Sequence, residues 1–114
     1  MAYLSYRTDG RSSEFEITAA TTTIGRSRKA DLRLAGDKKV SGIHCTITAR
    51  DQRYTVRDNG STNGTTLNGR EIGSDPVAMK DGDVLSVGRT DLTFNNYQDE
   101  KPGLIGRISR LFGR

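Results

Sequence analysis

Residues 58–69, Asp-Asn-Gly-Ser-Thr-Asn-Gly-Thr-Thr-Leu-Asn-Gly, restrict what this chain can fold into more than any other stretch. Three Gly, three Asn and four Ser/Thr in one run oppose a helix, because these residues favour turns or bond their own backbone. The same density of turn formers opposes one unbroken strand. The run reads as a loop between two strands, rich in backbone N–H, hydroxyl and amide groups able to donate hydrogen bonds.

The flanking sequence has a period of two. Residues 3–8 and 14–18 read as strands around the hairpin signal Asp9-Gly10. Thr22–Ile24 is a short β-branched strand ending at Gly25, and Leu32 and Leu34 alternate inward within residues 31–34. Ile43, Cys45 and Ile47 take the inward phase of the next strand, with His44, Thr46 and Thr48 on its polar phase. Tyr54 and Val56 follow, then Thr66-Leu67, the turn Asn68-Gly69, and residues 70–72. The turn Asp81-Gly82-Asp83 leads to residues 84–87 and 92–94. About nine to eleven short strands at this spacing predict an all-β, two-sheet sandwich, and 114 residues suit one such domain.

The tail differs. Leu104, Ile105, Ile108, Leu111 and Phe112 recur at helical spacing with arginines between them, after a break at Lys101-Pro102-Gly103. The expected division is a β-domain over residues 1–100 and a short basic amphipathic helix or tail over 101–114. The tail also carries the excess charge: it holds four basic residues and no acid, so the other 14 basic and 14 acidic groups balance. The +4 of the chain therefore gives no expectation of nucleic-acid binding. The tail has three readings: contact with a partner groove or a second copy, packing or fraying on its own sandwich, and weak attachment to an anionic membrane.

No segment reaches the apolar length of a membrane span, and the first residues lack the basic-then-apolar order of a signal peptide, so a cytoplasmic protein is expected. Cys45, the single cysteine, has no partner for a disulfide and reads as a small buried apolar residue. With one Cys and one His, neither a metal cluster nor a cofactor is expected. A Ser41–His44 pair with an aspartate fits a hydrolase triad only in composition, since no nucleophile elbow or nucleotide-binding loop is present. No catalytic residue is assigned.

Another chemistry fits better. A phosphorylated side chain carries about −1.5 to −2 charges and three strong acceptor oxygens. Arg26 offers a planar guanidinium fork matched to phosphate. Ser41 and Thr62 offer hydroxyl donors, and Asn63 has the amide donor and acceptor that suit an extended peptide backbone. Lys39, two residues before Ser41, adds charge. Taken singly these are bland: a solvated arginine, a turn hydroxyl, a lysine in a solvated loop.

Their order is not bland. Gly25-Arg26, Val40-Ser41-x-x-His44, Gly60-Ser-Thr-Asn-Gly-Thr65, Asn68-Gly69 and the closing Lys80–Gly88 segment together resemble the forkhead-associated (FHA) domain over roughly residues 3–97. The resemblance implies an eleven-stranded sandwich whose loops at one end bind phosphothreonine peptides of partners phosphorylated by a Ser/Thr kinase. By position it gives Arg26, Ser41 and Thr62 to the phosphate, Asn63 to the peptide backbone, and Lys39 to the residue C-terminal to the phosphothreonine. Gly25, His44, Gly64 and Asn68 fall at supporting positions. Gly42 departs from the pattern, because many members carry Arg, Asn or Lys there; only its backbone N–H can reach a phosphate. That departure keeps open a phospho-independent interaction or assembly role.

Overall fold

The structure is a computed structural model and describes residues 1–97. Within them lie eleven strands: β1 (Ala2–Thr8), β2 (Arg11–Ile17), β3 (Thr21–Gly25), β4 (Leu32–Arg33), β5 (Cys45–Arg50), β6 (Arg53–Asp58), β7 (Thr65–Leu67), β8 (Arg70–Ile72), β9 (Val77–Met79), β10 (Val84–Val87) and β11 (Thr90–Asn96). They form a six-stranded sheet, in order β2-β1-β11-β10-β7-β8, and a five-stranded sheet, β4-β3-β5-β6-β9. The fold is the all-β sandwich expected. The predicted tail helix lies outside the described residues.

Alternation sets the register. Leu4 faces Phe94 across β1 and β11, Leu85 faces Leu92 across β10 and β11, and Ile47 faces Val56 across β5 and β6. These side chains are fully buried between the sheets, and burying each stabilises the fold by about 1.5–3 kcal/mol. Tyr54 of one sheet meets Phe94 of the other with ring centroids 5.2 Å apart, which ties the layers together.

Both predicted two-residue turns are present. Asp9-Gly10 and Asn68-Gly69 take positive φ at both positions, the geometry whose twist suits a hairpin. The strand β9 was not visible in the sequence. It is three residues long, follows Pro76, and lies at the edge of its sheet, where a proline is tolerated.

Strand direction sorts the loops into two ends. Residues 26–31, 34–44 and 59–64, with the turns at Asp9-Gly10 and Gly88-Arg89, lie at one end. The turns at Asp51-Gln52, Asn68-Gly69 and Asp81–Asp83 lie at the other, beside Met1 and Tyr97, where the Met1 amino group donates to the Tyr97 carbonyl at 3.1 Å. None of the described residues forms a helix long and apolar enough to cross a membrane.

Candidate functional site

Three loops are stitched together at one end of the sandwich. Beyond β3 the backbone pairs with the segment before β5: Arg26 N–H donates to the Ser41 carbonyl at 3.0 Å, and Ser27 N–H to the Gly42 carbonyl at 3.1 Å. This approach requires glycine at position 25. A Cβ there would fall on the Gly42 carbonyl oxygen and within 2.7 Å of its carbon.

His44 joins the second loop to the third. Ser41 N–H donates to its Nδ1 at 3.0 Å, so that nitrogen is the acceptor. The other nitrogen, Nε2, then carries the proton and donates to the Gly64 carbonyl at 2.8 Å. The ring is fully buried, which corrects the polar, outward phase expected for it. The strand begins only at Cys45. Alternation therefore does not govern His44, which turns inward between two loops. Thr46, also expected outside, is buried and receives the Asn59 side-chain amide at 2.8 Å.

The remaining links leave particular groups free. Thr62 N–H donates to Ser41 Oγ at 3.0 Å. The Ser41 hydroxyl thus accepts from the protein and keeps its own hydrogen to donate outward. Asn63 Nδ2 donates to the Lys39 carbonyl at 2.8 Å, leaving its second amide hydrogen and its oxygen without partners among the described residues. The Arg26 side chain is exposed and likewise unpartnered among them; its carbonyl accepts from Arg33 Nε at 3.1 Å. Gly42 is exposed with its N–H unpaired among the described residues, and only the Ser27 Cβ lies near where its side chain would start, at 3.9 Å.

Asp58 organises the third loop, a role not read from the sequence. Its carboxylate accepts from Ser61 N–H at 2.8 Å, Ser61 Oγ at 2.5 Å and Thr65 Oγ1 at 2.7 Å. Burial pushes this carboxyl up, but hydrogen bonds from the Ser61 and Thr65 hydroxyls and the Ser61 and Gly60 backbone outweigh it and hold it below the ordinary carboxylate range. The local signal was an aspartate opening a turn, Asp58-Asn-Gly60, whose side chain can take the N–H two residues on. Ser61 Oγ in turn accepts from Gly64 N–H at 2.9 Å, and Gly64 sits at φ 81°. The N–H groups of Ser61, Thr62 and Gly64 are thus engaged inside the protein. The run is less a cradle of free donors than its composition suggests.

Asp37 does similar work for the second loop. It accepts from Lys39 N–H at 3.0 Å, Arg89 N–H at 2.7 Å and Thr90 Oγ1 at 2.8 Å. Burial pushes its carboxyl up, and the Thr90, Arg89 and Lys39 hydrogen bonds with the Arg89 charge more than reverse that. Its main partners lie more than fifty residues away in sequence, so no local pattern marked it.

The structure therefore gathers Gly25, Arg26, Lys39, Ser41, Gly42, His44, Thr62, Asn63 and Gly64. It does not bring Asn68 to them. That residue is at the opposite end, donating to Asp83 Oδ1 at 2.9 Å and accepting from Val84 N–H at 2.8 Å. Cys45 is fully buried, and burial, with the nearby Asp58 charge, pushes its thiol up to about 12, so it carries no thiolate at neutral pH.

Known proteins match this chain in sequence and fold. The FHA domain profile aligns with residues 22–88, from β3 through Gly88. The E3 ubiquitin-protein ligase CHFR of Xenopus tropicalis is 38% identical over 78 residues, which is 67% of this chain and 12% of that protein. The chain thus spans about an eighth of the length of that relative. An FHA domain solved in work on phosphothreonine-dependent FHA domain interactions is 29% identical with a TM-score of 0.73, over 84% of this chain and 96% of that one. Mycobacterium tuberculosis EmbR, solved in complex with a low-affinity phosphopeptide, is 30% identical with a TM-score of 0.74, over 89% of this chain and 26% of that one. With a matched segment longer than half the chain and a sandwich that superposes along nearly all the described residues, this protein belongs to the FHA domain family.

Proposed function

We propose that residues 1–100 form a cytoplasmic phosphothreonine-peptide binding module that acts as a signalling adaptor rather than an enzyme, docking a protein partner phosphorylated by a Ser/Thr kinase. One observation carries this reading. Three loops are hydrogen-bonded into a single surface on which the Arg26 guanidinium and the Ser41 hydroxyl hydrogen have no partner among the described residues. In this reading Arg26 and Ser41 hold the phosphate, with the Thr62 hydroxyl and the Gly42 N–H beside them. Asn63 meets the peptide backbone, and Lys39 meets a residue C-terminal to the phosphothreonine. Gly25, His44 and Gly64 hold the loops in place. The FHA structure from work on phosphothreonine-dependent interactions and the phosphopeptide-bound EmbR support it.

Calorimetric titration with a degenerate phosphothreonine-peptide library tests the proposal. Binding should vanish with unphosphorylated peptides. Arg26→Ala should weaken it roughly a hundredfold while leaving the fold intact, since charged hydrogen bonds are worth about 1.5–3 kcal/mol each. No binding by the folded protein across the library would reject the proposal in favour of a phospho-independent interaction role, which the bare Gly42 position favours.

A further inference from the structure

Beside the three-loop surface lies a second concavity of about 680 Å³, between the Asp9-Gly10 hairpin, the loop before β5 and the Gly88-Arg89 turn. Five cations line it, Arg7, Arg33, Lys38, Lys39 and Arg89, against two carboxylates, Asp9 and Asp37. In a body whose charges otherwise balance, this is a local excess of positive charge. Hydrogen bonding does not cancel it. Arg7 donates to the Gly10 carbonyl at 3.0 Å and to Ser12 Oγ at 3.5 Å, both neutral acceptors that orient the guanidinium without neutralising it. Arg33 donates only its Nε, to the Arg26 carbonyl, so its terminal nitrogens have no partner among the described residues. The side chains of Lys38, Lys39 and Arg89 make no hydrogen bond among those residues either. Asp37 accepts from two backbone N–H groups, of Lys39 and Arg89, and from the Thr90 hydroxyl, all within the concavity's own walls.

The concavity is also wired to the first site. Arg33 holds the backbone of Arg26, and Lys39, on its rim, receives the Asn63 amide. A peptide lying across Asn63 therefore passes its edge. One carboxylate would leave most of this charge unmet, whereas a phosphoryl group brings about −1.5 to −2 charges and three acceptors for converging guanidinium forks.

We propose that this concavity binds a second phosphoryl group on the same partner segment, so that the chain reads doubly phosphorylated peptides. The proposal rests on the phosphothreonine reading of the first site. It is tested with a peptide series that carries one fixed phosphothreonine and a second phosphoserine or phosphothreonine stepped along the chain on either side, with Glu or Ala at the same positions as controls. Affinity is measured by calorimetry for the natural protein and for a variant carrying Arg7→Gln and Arg89→Gln. At one favoured spacing the second phosphate should raise affinity about tenfold or more, Glu should give clearly less, and the gain should shrink with salt. The variant should lose the gain and keep the affinity for the singly phosphorylated peptide. Absence of a gain at every spacing, an equal gain from Glu, or a gain that survives in the variant would overturn the proposal. Failure of the first site reads out separately, because the singly phosphorylated peptide would then not bind at all.

Discussion

At the end of the sandwich that carries Asn68, polar side chains are engaged with one another and with the backbone of neighbouring turns and strands. Asn68 and Asp83 bond each other, Asp83 also takes Lys80 N–H at 2.8 Å, and Asp81 takes Asn96 N–H at 2.9 Å. At the other end the same residue types act as brackets between loops. Asp58, Asp37 and His44 join segments from different strands, while the Arg26 guanidinium and the Ser41 hydroxyl hydrogen beside them have no partner among the described residues. Asn, Asp and Gly signal turns at both ends. The lesson is that a binding surface is marked by which polar groups the fold leaves without internal partners, not by which residues build its turns.

The largest test of this contrast is His44→Ala. It leaves the Ser41 N–H and Gly64 carbonyl without their partner, at about 1–3 kcal/mol for each buried unsatisfied group. Urea unfolding should show a loss of roughly 2–5 kcal/mol, with phosphopeptide affinity falling alongside. Unchanged stability would mean the loops are held by something other than this ring. Next, Gly42→Arg adds a guanidinium where the protein has none. The space around Gly42 is open, so phosphopeptide affinity should rise about tenfold with stability changed by less than about 0.5 kcal/mol. No rise would show that the phosphate does not approach this position.

Asn68→Ala probes the closed end. It breaks the Asp83 and Val84 hydrogen bonds and puts alanine at φ 53°, so stability should drop by about 1–2 kcal/mol. Phosphopeptide affinity should not change, and a change would couple the two ends. The most gradual effect is acid. Asp58 and Asp37 ionise more readily in the fold than in the unfolded chain. Their hydrogen bonds thus contribute fully above the unfolded value, near ~3.9, and are lost as pH falls through the lower folded values. Amide exchange followed downward from pH 5 should show protection at Ser61 and Arg89 persisting below the unfolded value and lost only as pH falls through the lower folded values. Protection lost at both amides already at the ordinary carboxylate value would show that these carboxylates do not hold the loops.

Much of the fold could be read in advance because period-two alternation and two-residue turns are local properties. Leu32, Leu34, Ile47 and Val56 are inward as their phase required. The failures share a cause. His44 and Thr46 are buried by loops that cross them, and alternation within one strand carries no information about a neighbouring loop. β9 is too short and too close to Pro76 to show a period. Within the site, the motif order placed Arg26, Ser41, Thr62 and Asn63 on converging loops. Asp58 and Asp37 escaped notice because their importance lies in partners chosen by the fold. The resemblance put Asn68 at a supporting position of the site, whereas the three residues of β7 carry it to the far end.

The pairing of β1 with β11 sets Ala2 against Asn96 and brings the Met1 amino group to Tyr97. Residues 1 and 97 therefore share one pole, and the three stitched loops occupy the other. Such a domain is a portable head: polypeptide joined at either end, or at both, is fastened at the same point and leaves the recognition surface pointing outward. Under the proposed function, a domain tethered this way raises the local concentration of a phosphorylated partner near whatever it is joined to, with reach set by the linker.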